Sequence, residues 1–173
     1  MLMHISLYAW LGIAAVALVA LALMAGLVVI HEYESGLVIR RYGRQLPAGR
    51  IIAVDHEAGY QARMLPPGWH FPLWRWKFKV VRVPLVEVAP GEIALVVAKD
   101  GVAIPAARVL GRELECDNFQ DAVKFLEDGG EKGRQLAMLP AGKYRINPAL
   151  FDIVTADSAL RCGLQPEQLC GFR

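Results

Sequence analysis

The chain contains two related stretches: GLVIRRYGRQLPAGRI over Gly36–Ile51 and ALVVAKDGVAIPAARV over Ala94–Val109. Between them a glycine, a proline and an arginine coincide at an offset of 58 residues: Gly43 with Gly101, Pro47 with Pro105, and Arg50 with Arg108. A second pair follows in the same order, since GYQARMLPPG over 59–68 matches GRQLAMLPAG over 133–142 at an offset of 74. Two ordered matches indicate a diverged tandem repeat in which the second unit carries 16 additional residues.

Short apolar runs and turn residues make both units β-rich. Each unit has a Gly-centred turn and a Met-Leu-Pro-x-Gly segment whose glycine suits a type II turn. We therefore expect a first β repeat over 33–88 and a second over 89–155. A C-terminal tail over 156–173 follows, with a short helix expected near 166–169.

The 16 additional residues predict one helix, at about 118–128. Asp117 and Gln120 have the spacing of a capping box, and Gly129-Gly130 is typical of a helix end. The apolar residues fall on one face at helical spacing: Phe119, Ala122, Val123 and Leu126.

The N-terminus contains an uninterrupted apolar run over 7–30, preceded by a short tail over 1–6. A helix of 24 residues would span about 36 Å, more than the roughly 30 Å hydrocarbon layer of a bilayer. The run thus predicts a transmembrane helix, with Tyr8 and Trp10 at the interface. A signal peptide is the alternative, although its usual basic n-region is missing from Met1–Ser6. The expected fold class is α+β: one N-terminal transmembrane helix followed by a β-rich body of two diverged repeats with one inserted helix.

Basic residues are concentrated directly after the apolar run. The net charge of 36–85 is +7, whereas that of 86–173 is −3. By the positive-inside rule the body is expected in the cytoplasm, with a single pass through the inner cell membrane and the N-terminus outside. We predict that basic residues of the first unit contact a lipid surface: Arg40, Arg41, Arg44, Arg50, Arg75, Lys77 and Lys79.

The segment Trp74–Val80 alternates aromatic or apolar residues with basic ones. As a strand it would place Trp74, Trp76 and Phe78 on one face. That face either packs on the core or contacts lipid headgroups, and the first interpretation is favoured. Aromatic and basic residues also alternate in nucleic-acid-binding surfaces, but no nucleic-acid-binding fold is recognisable here.

No motif for catalysis is legible, so we expect no enzymatic activity, cofactor or metal. The four histidines lack ligand partners at helical spacing, and phosphate-binding or nucleophile motifs are missing from the sequence. The three cysteines, Cys116, Cys162 and Cys170, are best interpreted as ordinary small residues. A thiol enzyme that uses Cys116 is the weakest alternative.

The chain resembles the N-terminal region of bacterial flotillin-like proteins, members of the stomatin–prohibitin–flotillin (SPFH, or band 7) superfamily. The resemblance covers about 33–151 and includes GLVIRRYGRQLPAGRIIA, GYQARMLPPGWHFPLWRW, CDNFQDAVKFLEDGG and LPAGKYRIN. It implies a membrane-anchored, non-enzymatic scaffold that organises membrane microdomains or membrane-protein assemblies.

The resemblance also implies partners: membrane lipids, further copies of the chain and an NfeD-type membrane protein or a membrane protease. The alternative function is an accessory or regulatory subunit of a membrane-bound protease complex. In flotillin-like relatives a long helical region follows the β body, so this chain resembles a truncated or short member of the family.

Overall fold

A computed structural model describes residues 2–161. Helix α1 spans Leu2–Ala25, and within it the side chains of 2–8, 22 and 23 are left undescribed. The first half of the body contains six strands: β1 (Val28–Ile30), β2 (Glu34–Arg40), β3 (Ile52–Ala53), β4 (Gly59–Leu65), β5 (Gly68–His70) and β6 (Phe78–Pro84).

The second half contains six more strands and a short helix: β7 (Val86–Val88), β8 (Leu95–Ala98), β9 (Val102–Ala103), α2 (Ala122–Glu127), β10 (Glu131–Arg134), β11 (Gly142–Tyr144) and β12 (Phe151–Val154). Helix α3 (Ala156–Arg161) follows. The predicted helix near 166–169, together with Cys162 and Cys170, lies outside the described residues.

The two halves have the same strand order. One sheet runs β3-β4-β2-β6 and the other β9-β10-β8-β12, and each begins with a short parallel pair. The counterpart of β3 in the second half is the parallel bridge between Gly111 and Gln135, and the counterpart of β9 in the first half is the parallel bridge between Arg44 and Glu57.

The antiparallel pair β1–β5 has its counterpart in β7–β11, with Val28 opposite His70 and Val86 opposite Tyr144. These pairs are separated by 58 and 74 residues, so the equivalence begins at Val28 and Val86, upstream of the boundaries suggested by the sequence.

Side-chain hydrogen bonds recur at the same separations. The Gln61 side-chain amide donates to the Gly59 carbonyl at 3.2 Å, and that of Gln135 donates to the Gly133 carbonyl at 2.9 Å. Both glycines have a φ of +124°. The two halves are therefore built by the same local interactions, although few of their residues are identical.

Gly43 and Gly101 occupy equivalent places where two chain segments approach closely. A Cβ at Gly43 would collide with the main-chain oxygen of His56, and a Cβ at Gly101 with that of Gly130. Only glycine fits such an approach without a backbone shift, which explains why both repeats have glycine there.

The main core lies in the second half. Phe119, Phe125 and Phe151 pack together with ring centroids 4.9–6.2 Å apart, and Phe151 meets each of the other two rings edge-on. Strand β8 and helix α2 surround this aromatic cluster, while Ile52 and Ala62 join it from the first half.

A buried carboxylate joins the two halves. Asp100 Oδ2 accepts hydrogen bonds from the main-chain N–H groups of Ile51 and Ile52 at 2.7 and 2.8 Å, and Oδ1 accepts one from Gly101. Asp100 is almost completely buried, and its charge is compensated by these three N–H groups.

A buried amide makes a second polar link. Asn147 Nδ2 donates to the main-chain carbonyls of Gln61 and Ala62 at 3.0 and 2.9 Å, and its Oδ1 accepts from Ala149 N–H. Asp100 and Asn147 both belong to the second half and bind main-chain groups of the first. They fix how the halves pack.

The predicted fold class is wrong in its N-terminal part. Among the residues whose side chains are described, no helix combines the length and apolar character needed to cross a membrane. The predicted transmembrane helix over 7–30 and the single-pass inner-membrane localisation with a cytoplasmic body are therefore corrected.

The C-terminal end of the apolar run differs from the prediction for a clear reason. Helix α1 ends at Ala25, and Val28–Ile30 form a strand because they pair with β5. The Gly26 carbonyl accepts a hydrogen bond from Leu73 N–H at 2.8 Å. Apolar residues satisfy a buried strand as well as a helix, so the sequence alone does not separate the two.

The inserted helix is shorter than predicted and begins later. Its N-cap is Asp121, whose side chain accepts from Lys124 N–H at 3.0 Å. Asp117 is not the cap because it starts a run of three residues with φ between 51° and 63° that ends at Phe119. Phe125, which the predicted stripe omitted, is fully buried.

We predict that Asp100→Ala lowers the free energy of unfolding by about 3 kcal/mol, because it leaves buried N–H groups without an acceptor. Asp100→Asn retains one carbonyl oxygen and should lose less. Urea unfolding followed by tryptophan fluorescence measures both. Asp152→Ala, at an exposed position of β12, is the control. If Asp100→Ala lowered the free energy of unfolding no more than Asp152→Ala does, the role of Asp100 would be contradicted.

Candidate functional site

The predicted basic residues lie on the first half, and some gather around one aromatic ring. The Arg40 guanidinium is 5.8 Å from the centre of the Phe78 ring, and Lys77 Nζ is 5.6 Å from it. Arg40 also donates to the Tyr42 carbonyl and lies 3.2 Å from His56 Nδ1. Arg40 is thus held partly by local contacts.

The other predicted basic residues are exposed at separate places. Arg44 forms an isolated parallel β-bridge with Glu57 through the main chain. Arg50 precedes β3, and Lys79 lies on β6. Arg41 and Arg75 are also exposed. Their contact with a lipid surface stays a prediction. Of the predicted interface aromatics, Trp10 is exposed on α1, whereas the side chain of Tyr8 is not described.

The alternating segment 74–80 is a strand only from Phe78. Before it the chain makes a turn, in which the Trp74 carbonyl accepts the N–H groups of Lys77 and Phe78. Trp76 is therefore exposed instead of facing the core. The expected core-facing aromatic row is wrong because the turn interrupts the period of two residues.

Helix α1 exposes apolar side chains over its whole described surface. All side chains of 9–21 are exposed, among them Trp10, Leu11, Val16 and Leu18. Exposed apolar surface of this extent marks a site of interaction.

A second apolar surface lies on the second half. Val109, Leu110 and Leu136 form the apolar part of a groove of about 420 Å³, which we call the second-half groove. Its lining also contains Gly111 and the charged residues Arg108, Arg112 and Glu113. Among the described residues, none accepts a hydrogen bond from the main-chain N–H of Val109 or Leu110.

Glu131 holds the chain that forms this groove. Its carboxylate accepts hydrogen bonds from the Arg112 main-chain N–H at 2.8 Å and from the Arg108 guanidinium. The Arg112 N–H bond, followed by the bond from Arg108, lowers the pKa of Glu131 below its ordinary value of 4.5. The carboxylate therefore fixes both ends of the segment 108–112.

The Cys116 thiol is buried, and this burial raises its pKa. A raised pKa keeps the thiol protonated, and a protonated thiol is a poor nucleophile. The geometry gives no support to a thiol enzyme that uses Cys116.

A cleft of about 540 Å³ lies between β4 and α2. Its lining contains three cationic and three acidic side chains: Arg63, Lys124, Arg145, Asp117, Asp121 and Glu127. Among the residues whose side chains the structure describes, no group of three or more His, Cys, Asp or Glu is arranged to hold a metal ion. The cleft has mixed charge and shows no preference for one ligand chemistry.

No family model, curated protein or solved structure matches this chain. The resemblance to flotillin-like proteins stays a prediction, as do the partners that it implies.

Sequence reasoning missed the second-half groove. Val109 and Leu136 lie in the aligned stretches of the second repeat, and Leu110 follows directly, in a region that the sequence predicts to be β-rich. The signal that identifies them is the comparison of burial between equivalent positions, which requires the structure.

We predict that Glu131→Gln reduces the acid sensitivity of the chain. A lowered pKa stabilises the fold above the unfolded value of about 4.5, and this contribution is lost as the pH falls through the folded value. The wild type should therefore lose stability below pH 4.5 more steeply than the variant, as measured by unfolding midpoints between pH 6 and 3.

The control for this prediction is Glu127→Gln, which removes the charge of an exposed carboxylate on α2. The stability of this variant should fall with decreasing pH as steeply as that of the wild type. Equal slopes in the wild type and Glu131→Gln would contradict the assignment.

Proposed function

We propose that this chain is a non-enzymatic scaffold whose copies assemble with one another. The observation that carries the proposal is the apolar surface of α1. No other described part of the chain packs against its side chains over 9–21, and all of them are exposed. Apolar side chains gain free energy when they are removed from water, by about 25 cal/mol per Å². A scaffold supplies that burial through contact between chains.

The second-half groove supports the same function. It is apolar, exposed and separate from α1, so that one copy offers two surfaces for association. A protein with two distinct association surfaces builds an assembly larger than a simple pair.

The accessory subunit of a protease complex is the alternative, and no contact in the described residues favours it. It differs from the scaffold in its partner. A scaffold binds its own copies, whereas an accessory subunit binds a protease in fixed stoichiometry.

We predict that the full chain, purified in mild detergent because α1 exposes apolar side chains, has a mass several times 19.1 kDa by light scattering. Two differently tagged copies should also co-purify from the same cells. A 19.1 kDa monomer that carries a protease in fixed ratio would favour the accessory subunit, and a monomer without a partner would contradict both.

A substitution tests the contribution of α1. Val16→Glu places a charge on its exposed apolar surface, and burial of an unpaired charge between chains is unfavourable. The variant should form smaller assemblies than the wild type. Val16→Leu keeps the surface apolar and is the matched control; equal masses for all three chains would show that α1 does not contribute.

A further inference from the structure

The second half packs on the first through one contact, and the equivalent contact with the roles of the halves exchanged does not occur. Asp100 binds the main-chain N–H groups of Ile51 and Ile52. At an offset of 58, the reciprocal contact would join Tyr42 to Val109 and Leu110. The chain does not contain that contact, because Tyr42 is 64% exposed and Val109 82%. A two-fold relation between the halves would bury both pairs, so the interface is heterologous.

The second-half groove corresponds to the face of the first half that the second half covers. Ile52 is fully buried, whereas its counterpart Leu110 is 39% exposed. Ala62 is 1% exposed, and its counterpart Leu136, at an offset of 74, is 53% exposed. The groove is thus the face of the second half that corresponds to the covered face of the first half, and no other described part of the chain covers it.

The first half exposes the complementary face. Tyr42 stands where the second half has Asp100. From β6 and β12 onward the offset is 73, because Phe78 pairs with Arg40 and Phe151 pairs with the equivalent Ala98. Trp74 is therefore the counterpart of Asn147, and the carbonyl of each accepts an N–H at 2.8 Å, from Phe78 and Phe151 respectively. Two residues after Trp74, the side chain of Trp76 is 64% exposed. This face carries aromatic residues where the second half carries polar ones.

We propose that the second-half groove binds the first half of another copy of this chain, in the arrangement in which the second half packs on the first. The proposal rests on the scaffold function and specifies its interface. Tyr42 of one copy lies against Val109 and Leu110 of the next. The aromatic side chain suits the apolar lining of the groove better than the carboxylate at the equivalent position.

Charge supports the same occupant. The first half has a net charge of +7 over 36–85, and the chain from 86 onward has −3. Head-to-tail contact brings the basic half of each copy to the acidic half of its neighbour, whereas contact between equal halves brings like charges together. The opposite net charges of the halves favour the encounter of a first half with a second half over the encounter of two equal halves.

Head-to-tail contact also leaves one unoccupied face at each end of every complex that has not closed on itself. Such an interface continues from copy to copy and closes into a ring or extends as a filament. The assembly therefore grows without a second kind of contact.

Site-directed crosslinking tests the interface. In full chains with Cys162→Ser and Cys170→Ser, one variant carries Tyr42→Cys and another Val109→Cys; Cys116 stays in place because it is buried. A short bis-maleimide should link the two variants into a dimer only when they are mixed. A chain with both substitutions should give a ladder on a denaturing gel.

The control chain carries Tyr33→Cys and keeps Tyr42. Tyr33 is an exposed tyrosine of the first half. It should not link to Val109→Cys. The proposal is overturned if Tyr42→Cys links to itself as well as to its partner, or if the control links equally well. Assembly of the wild type without the Tyr42–Val109 link overturns the interface alone, whereas a monomeric wild type overturns the scaffold function as well.

Discussion

The structure depends on a buried carboxylate that binds the main chain of the other half. Asp100 compensates its own charge with N–H groups from Ile51, Ile52 and Gly101. A buried charge without such partners would destabilise the fold by several kcal/mol. The contact therefore sets the position of one half against the other, and Asn147 adds a second polar link through Gln61 and Ala62. The apolar core forms around this arrangement.

Much of the body follows from short-range rules that sequence reasoning can apply. The turn glycines and the segment around Gln61 and Gln135 act through local contacts, and local contacts leave a signature at fixed spacing. The sequence does not predict that the repeat starts at Val28, because Val28–Ile30 continue an apolar run. Only their pairing with β5 identifies them as a strand. The same pairing explains why a single long helix over 7–30 was the wrong expectation.

Other features depend on backbone conformation that residue type does not disclose. The left-handed run that begins at Asp117 moves the start of α2 to Asp121. The turn at Trp74 ends the alternation that suggested a longer strand. The groove at Leu110 depends on which half covers which, and that is a property of tertiary packing. The exposed faces are consequently a result of the structure.

The proposed assembly uses between chains the docking arrangement that the two halves use once within the chain. Electron cryo-microscopy of the assembled full chain in detergent would show this contact. Tyr42 of each copy should lie against Val109 of the next, with adjacent copies related as the two halves are. Groove packed against groove about a two-fold axis, or an assembly that leaves the groove open, would contradict it.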